Sequence, residues 1–121
     1  MPNIIVVDDD VTNAQLLQML LELDGFTVQT CASVEQAIET TTPQIDAFVV
    51  DWHLERNTSG LDLLHAIRQG ETAAKSDTAV IISSGDHRRE QESLAAGANH
   101  FLLKPYPPEQ LSKLIASLLP Q

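Results

Sequence analysis

Ile4-Ile5-Val6-Val7-Asp8-Asp9-Asp10 joins four consecutive apolar residues to three consecutive carboxylates. The apolar run has no polar/apolar alternation and is too short for a helix, the pattern of a strand buried on both faces. Strands of that kind belong to parallel sheets covered by helices. In such sheets ligands bind at the carboxyl ends of the strands, which is where the three acids stand.

Four more short apolar runs follow, at Phe26–Val28, Ala47–Val50, Ala79–Ile82 and Phe101–Leu103. Counted from their first residues, the intervals are 22, 21, 32 and 22 residues, a repeat that suits strand–turn–helix–turn units. Helical signals fill the gaps. Leu16, Leu17, Leu20 and Leu21 form an amphipathic stripe that stops at Gly25. Ser33 with Gln36 reads as a capping box, and Pro43 closes that second helix. Ser59-Gly60 opens a third helix with Leu61, Leu64 and Ile67; a fourth runs from about Arg88 to Ala96, with Gly97 beyond it. Pro107-Pro108 open the fifth, whose apolar residues are Leu111, Leu114, Ile115, Leu118 and Leu119. The expected fold is α/β: five strands alternating with five helices, a doubly wound parallel sheet with helices on both faces.

The length of 121 residues suits one domain, 1–121. Seven Lys+Arg against 17 Asp+Glu give a formal net charge of −10, which excludes nucleic acid and anionic membrane as main partners because both would repel it. The acid is unevenly spread. From Met1 to Asp51 there are nine carboxylates and no Lys or Arg, and the first base is Arg56. Cys31 is the one cysteine, which rules out an internal disulfide and fits a reducing, cytoplasmic compartment. No run is long enough for a membrane span, and no signal peptide precedes the first strand. His65, His87 and His100 lack metal-ligand spacing and read as surface residues.

The strand ends carry the chemistry. Strand one ends in Asp8-Asp9-Asp10 and strand three in Asp51; Ser83-Ser84-Gly85 follow strand four, and Lys104-Pro105 follow strand five. Carboxylates crowded together repel, so one takes a proton or a cation joins them. A hard divalent ion held by two or three oxygen ligands and kept partly hydrated is the profile of magnesium. Metal, lysine and hydroxyl together can stabilise phosphoryl oxygens, while a carboxylate acts as in-line nucleophile. Asp10 is read instead as the cap of helix one.

IIVVDDD, VVDWHL with SGLDLL, VIISSG and GANHFLLKPY resemble, in order and spacing, the receiver domain of two-component response regulators. The likeness covers essentially the whole chain. It implies a flavodoxin-like sheet of order 2-1-3-4-5. By position, Asp51 resembles the phosphoacceptor, Asp9 the direct metal ligand, and Asp8 a ligand acting through water, with the His53 backbone carbonyl completing the magnesium site. Manganese is the implied substitute. Ser84 matches the switch hydroxyl, with Ser83 the neighbouring alternative; Lys104 matches the lysine and Phe101 the switch aromatic. The implied partners are a histidine kinase or histidine phosphotransfer protein, a downstream protein or attached domain on the helix 4–strand 5–helix 5 face, and a second copy in a homodimer. The implied protein is a phosphoacceptor with autodephosphorylation, not a turnover enzyme, and no output domain accompanies it in this chain. Two features depart from the family pattern. The Gly85–Gly97 stretch is one or two residues short, and the polar Glu55–Ser59 loop is long.

Two other readings compete. IIVVDDDVT also fits the aspartate-x-aspartate-x-threonine signature of haloacid-dehalogenase-type phosphatases, with Asp8 as nucleophile and Asp10 as acid/base. After the lysine, however, only Glu109 remains where that chemistry needs another metal-binding acid. The third reading is a receiver-like interaction module that is never phosphorylated.

Overall fold

The computed structural model describes residues 1–55 and 57–119; Arg56, within the Glu55–Ser59 loop, and the last two positions of the 1–121 span lie outside the described residues. Strands β1 (Asn3–Val7), β2 (Thr27–Cys31), β3 (Ala47–Asp51), β4 (Ala79–Ser84) and β5 (His100–Leu103) alternate with five helices. These are α1 (Val11–Leu23), α2 (Val34–Thr40), α3 (Gly60–Arg68), α4 (Glu90–Ala95) and α5 (Pro108–Leu118). All ladders are parallel, in the order β2-β1-β3-β4-β5. The doubly wound parallel sheet expected from the apolar runs, and the flavodoxin-like order 2-1-3-4-5 that the resemblance implies, are the ones observed.

Period-two alternation along the buried strands feeds two cores. Ile5, Val7, Phe48, Val50, Val80 and Ile82 pack with Ala37 of α2 and Leu61, Leu63, Leu64 and Ile67 of α3. Ile4, Val6, Ala47, Val49, Ala79 and Ile81 pack with Ala14, Leu17 and Leu21 of α1 and Leu111 and Ile115 of α5. Burying a side chain of this size contributes roughly 1.5–3 kcal/mol. Both faces of the central strands are therefore anchored, and their ends are rigid mounts. Among the described residues no helix is long and apolar enough to cross a membrane.

Strand β2 runs to Cys31, beyond the Phe26–Val28 run that announced it. It is an edge strand paired with β1; Thr27 and Gln29 are exposed, while Val28 packs into the α1–α5 core and Cys31, at the end of the strand, into the α3-side core. Helix four is shorter than read: a 3₁₀ turn at His87–Arg89 precedes α4, which spans Glu90–Ala95. The Ser33 cap forms, accepting the Gln36 N–H at 3.1 Å, but Gln36 Oε1 accepts from Ala32 N at 2.8 Å, so the box closes one residue early. A reciprocal box stands at α3, where Ser59 Oγ accepts from Leu61 N and Ser59 N donates to Asp62 Oδ2.

Gly60 at the start of α3 sits against the end of β3. A Cβ there would lie 2.6 Å from the Asp51 carbonyl oxygen and 2.8 Å from Val50 Cγ1. Both neighbours are held by the sheet and cannot yield cheaply. Gly60→Ala is expected to lower stability by about 1–3 kcal/mol, the range for overpacking. Equilibrium urea unfolding measures it.

Candidate functional site

The acids after β1 and at the end of β3 meet at one edge. Asp8, Asp9 and Asp51 each offer a carboxylate oxygen, and these oxygens lie within 4.8 Å of one another. Asp8 is buried, and its neighbours already satisfy it: Oδ1 accepts from Asp10 N at 2.9 Å and Oδ2 from Asn13 Nδ2 at 2.6 Å. Asp9 and Asp51 are half-buried. Asp51 Oδ1 accepts the His53 N–H at 3.3 Å. Asp10 is exposed and caps α1, accepting from Asn13 N at 3.1 Å, as its position beside the helix start predicts.

Lys104 supplies the positive charge. Its Nζ lies 3.3 Å from Asp51 Oδ2 and 3.8 Å from Asp8 Oδ2. Strand alternation explains the convergence: Asp8 continues the Ile4–Val6 parity and Lys104 the Leu102 parity, both on the α1–α5 side, where Asp51 follows Ala47 and Val49. The electrostatics are opposed. Burial pushes the Asp51 carboxyl above its ordinary value, Lys104 pulls it back, and the Asp8 charge pushes it up again. Burial and the charges of Asp8 and Asp51 also push the Tyr106 phenol up to about 12.

The hydroxyl pair separates by the same parity. Ser83 pairs with Asp51 in register and follows Ala79 and Ile81. Ser84 follows Val80 and Ile82 on the opposite side, where Phe101, in register with Ile82, packs against the α3-side core. Ser84 is fully buried, and its Oγ accepts the Asp86 N–H at 3.0 Å. Ser84 and Phe101 thus share a face that Ser83 does not.

The sequence reading missed three participants. Asn13 holds Asp8, and its cue is its place in the first turn of the helix after the acids. Arg89 lies over the Trp52 ring, 4.2 Å from its centroid, and Glu92 Oε1 accepts the Trp52 indole N–H at 3.2 Å. No local pattern signals these two, because the contacts cross from the loop after β3 to the 3₁₀ turn and α4. His65, His87 and His100 are exposed, as expected.

This geometry has counterparts. Residues 4–116 match the family model for the response regulator receiver domain. The transcriptional regulatory protein CpxR of Escherichia coli K12 is 30% identical over 98% of this chain and 50% of its own length. The phosphate regulon regulator PhoB of Rhizobium meliloti is 28% identical over 98% of this chain and 52% of its own length. The chain thus spans about half the length of these two curated relatives. A response regulator receiver domain protein from Clostridium thermocellum superposes with a TM-score of 0.86 at 30% identity, covering 98% of this chain and 94% of that one.

Proposed function

The chain belongs to the response regulator receiver domain family, and we propose that Asp51 is its phosphoacceptor, charged by a histidine kinase or histidine phosphotransfer protein. The observation that carries this reading is Lys104 Nζ at 3.3 Å from an Asp51 carboxylate crowded by Asp8 and Asp9. In the transfer, an Asp51 oxygen attacks phosphorus in line, the P–N bond to the donor imidazole breaks, and the imidazole leaves as its proton is restored. Lys104 holds the carboxylate beforehand and pairs with a phosphoryl oxygen afterwards. Preorganised charge of this kind lowers the barrier where charge develops.

Three clustered carboxylate oxygens fit a hard divalent cation. Asp9, Asp51, Asp8 through water and the His53 backbone carbonyl would hold magnesium, or manganese in its stead, which when bound draws charge from the phosphoryl oxygens. Ser84, not Ser83, is the hydroxyl that turns to the phosphoryl group, because it shares its face with Phe101. Phe101 then moves inward and alters the surface over α4, β5 and α5, which meets a target protein, an attached domain or a second copy. The resulting acyl phosphate is labile, so the chain resets by hydrolysis and acts as a cytoplasmic switch. Residues 1–121 form one receiver domain in this reading.

The test is direct. Acetyl phosphate with magnesium is expected to attach one phosphoryl group per chain, read by intact mass, and magnesium alone to quench Trp52, the single tryptophan. A chain that neither takes label nor responds to magnesium is an unphosphorylated interaction module.

A further inference from the structure

Trp52 follows Asp51 in sequence and packs half-buried against the α3-side core. Arg89 covers its ring and is bracketed by Asp86 Oδ2 at 3.6 Å and Glu92 Oε1 at 3.7 Å. The Arg89 Nε is buried with no hydrogen-bond partner among the described residues. The rest of the guanidinium side chain is partly exposed, so this is a cation–π contact of ordinary surface strength with one nitrogen shielded from water. Asp86 joins this cluster to the other side of the site. Its backbone N–H donates to Ser84 Oγ at 3.0 Å, and its carboxylate caps the 3₁₀ turn, accepting from Arg88 N at 3.0 Å. A continuous path therefore runs from Ser84 through Asp86, Arg89 and Trp52 back to Asp51.

We propose that Arg89 and Trp52 are a positioning pair that holds the start of α4 in the arrangement belonging to unphosphorylated Asp51, so that switching must break their contact. This rests on the phosphoacceptor reading. When Ser84 turns toward a phosphoryl group on Asp51, its oxygen leaves the Asp86 N–H, and a partly buried N–H stripped of its acceptor is costly. The Asp86 segment then has to move, and its carboxylate is one of the two that hold Arg89 over the ring. An interaction made in one state alone biases the equilibrium against the other by its own free energy. Arg88 is the internal control. It pairs with the same Asp86 carboxylate through Nε at 3.0 Å and Nη2 at 3.0 Å, yet it is largely exposed and lies outside the Trp52 contact.

The experiment titrates beryllofluoride, a phosphoryl mimic, in the presence of saturating magnesium and follows bound fluoride by ¹⁹F NMR, a signal independent of Trp52. Arg89→Gln is expected to lower the half-saturating concentration by about twofold to fivefold, the range of one partly exposed cation–π contact. Glu92→Gln moves it the same way by less. Arg89→Lys, which keeps a cation over the ring, and Arg88→Gln stay close to the parent chain, and affinity for magnesium alone is unchanged throughout. Unchanged or weaker beryllofluoride binding in Arg89→Gln overturns the proposal. A parent chain that binds no beryllofluoride overturns the phosphoacceptor reading beneath it, a separate result.

Discussion

Asp51→Asn is expected to take no phosphoryl label from acetyl phosphate and magnesium, while folding at least as stably as the parent chain. The amide is nearly isosteric but has no anionic oxygen to attack phosphorus, so the covalent step is lost outright. The stability half follows from the sign of the electrostatics. Burial and the Asp8 charge both raise the Asp51 carboxyl above its ordinary value, against the pull of Lys104. A carboxylate raised in the folded state favours folding when protonated, so its charged form weighs against the fold as pH rises through that raised value. Asn removes this cost at neutral pH. Intact-mass labelling and a melting curve on the same sample therefore separate loss of chemistry from loss of structure. The experiment also decides between nucleophiles. Label kept in Asp51→Asn and lost in Asp8→Asn would move the attack to Asp8, as in the phosphatase reading. The geometry disfavours that outcome, because both Asp8 oxygens are already engaged by Asp10 N and the Asn13 amide.

Much of this site can be read from the chain because it lies at strand ends. An apolar run that is buried on both faces ends abruptly, and the first polar residue after it is delivered to the sheet edge whatever the loops do. Asp8, Asp51 and Lys104 are legible on that ground, and parity along β4 and β5 separates Ser84 from Ser83 once the register is known. What escapes is whatever depends on contact between distant loops. Arg89 sits in a run of exposed-looking charge, and nothing near it in sequence says that its guanidinium will lie over Trp52. Arg68 is a similar case. It donates to Gly97 O, Ser76 O, Thr78 O and Asn99 Oδ1, joining loops that only the folded sheet brings together. The far end of the second strand escapes for a related reason. Gln29 is exposed and Thr30, on the opposite face, is half-buried, so the two interrupt the apolar run without ending the strand.

Lys104→Met should divide two properties that a merely structural lysine would move together. Methionine keeps an unbranched apolar stem and removes the charge 3.3 Å from Asp51 Oδ2 and 3.8 Å from Asp8 Oδ2. Losing that fixed charge is expected to slow labelling by acetyl phosphate by about 10²–10³-fold, the usual effect of deleting one preorganised stabilising group. Magnesium affinity, measured by quenching of Trp52, is expected to hold or to tighten. The same carboxylates that pair with the ammonium would serve the divalent ion, and without Lys104 they are left with uncompensated repulsion that a cation relieves. Lys104→Arg tests the geometry, since it restores charge but spreads it over a planar fork that cannot stand at one point between two carboxylates. It is expected to recover magnesium affinity near the parent value and only part of the rate. If rate and magnesium affinity instead fall in parallel in Lys104→Met, the lysine holds the acids in shape and does not act on the phosphoryl group. A slow rate with undiminished metal binding assigns Lys104 to the transfer itself, because the remaining acids would then be competent for the ion and deficient only in the charge that meets the moving phosphate.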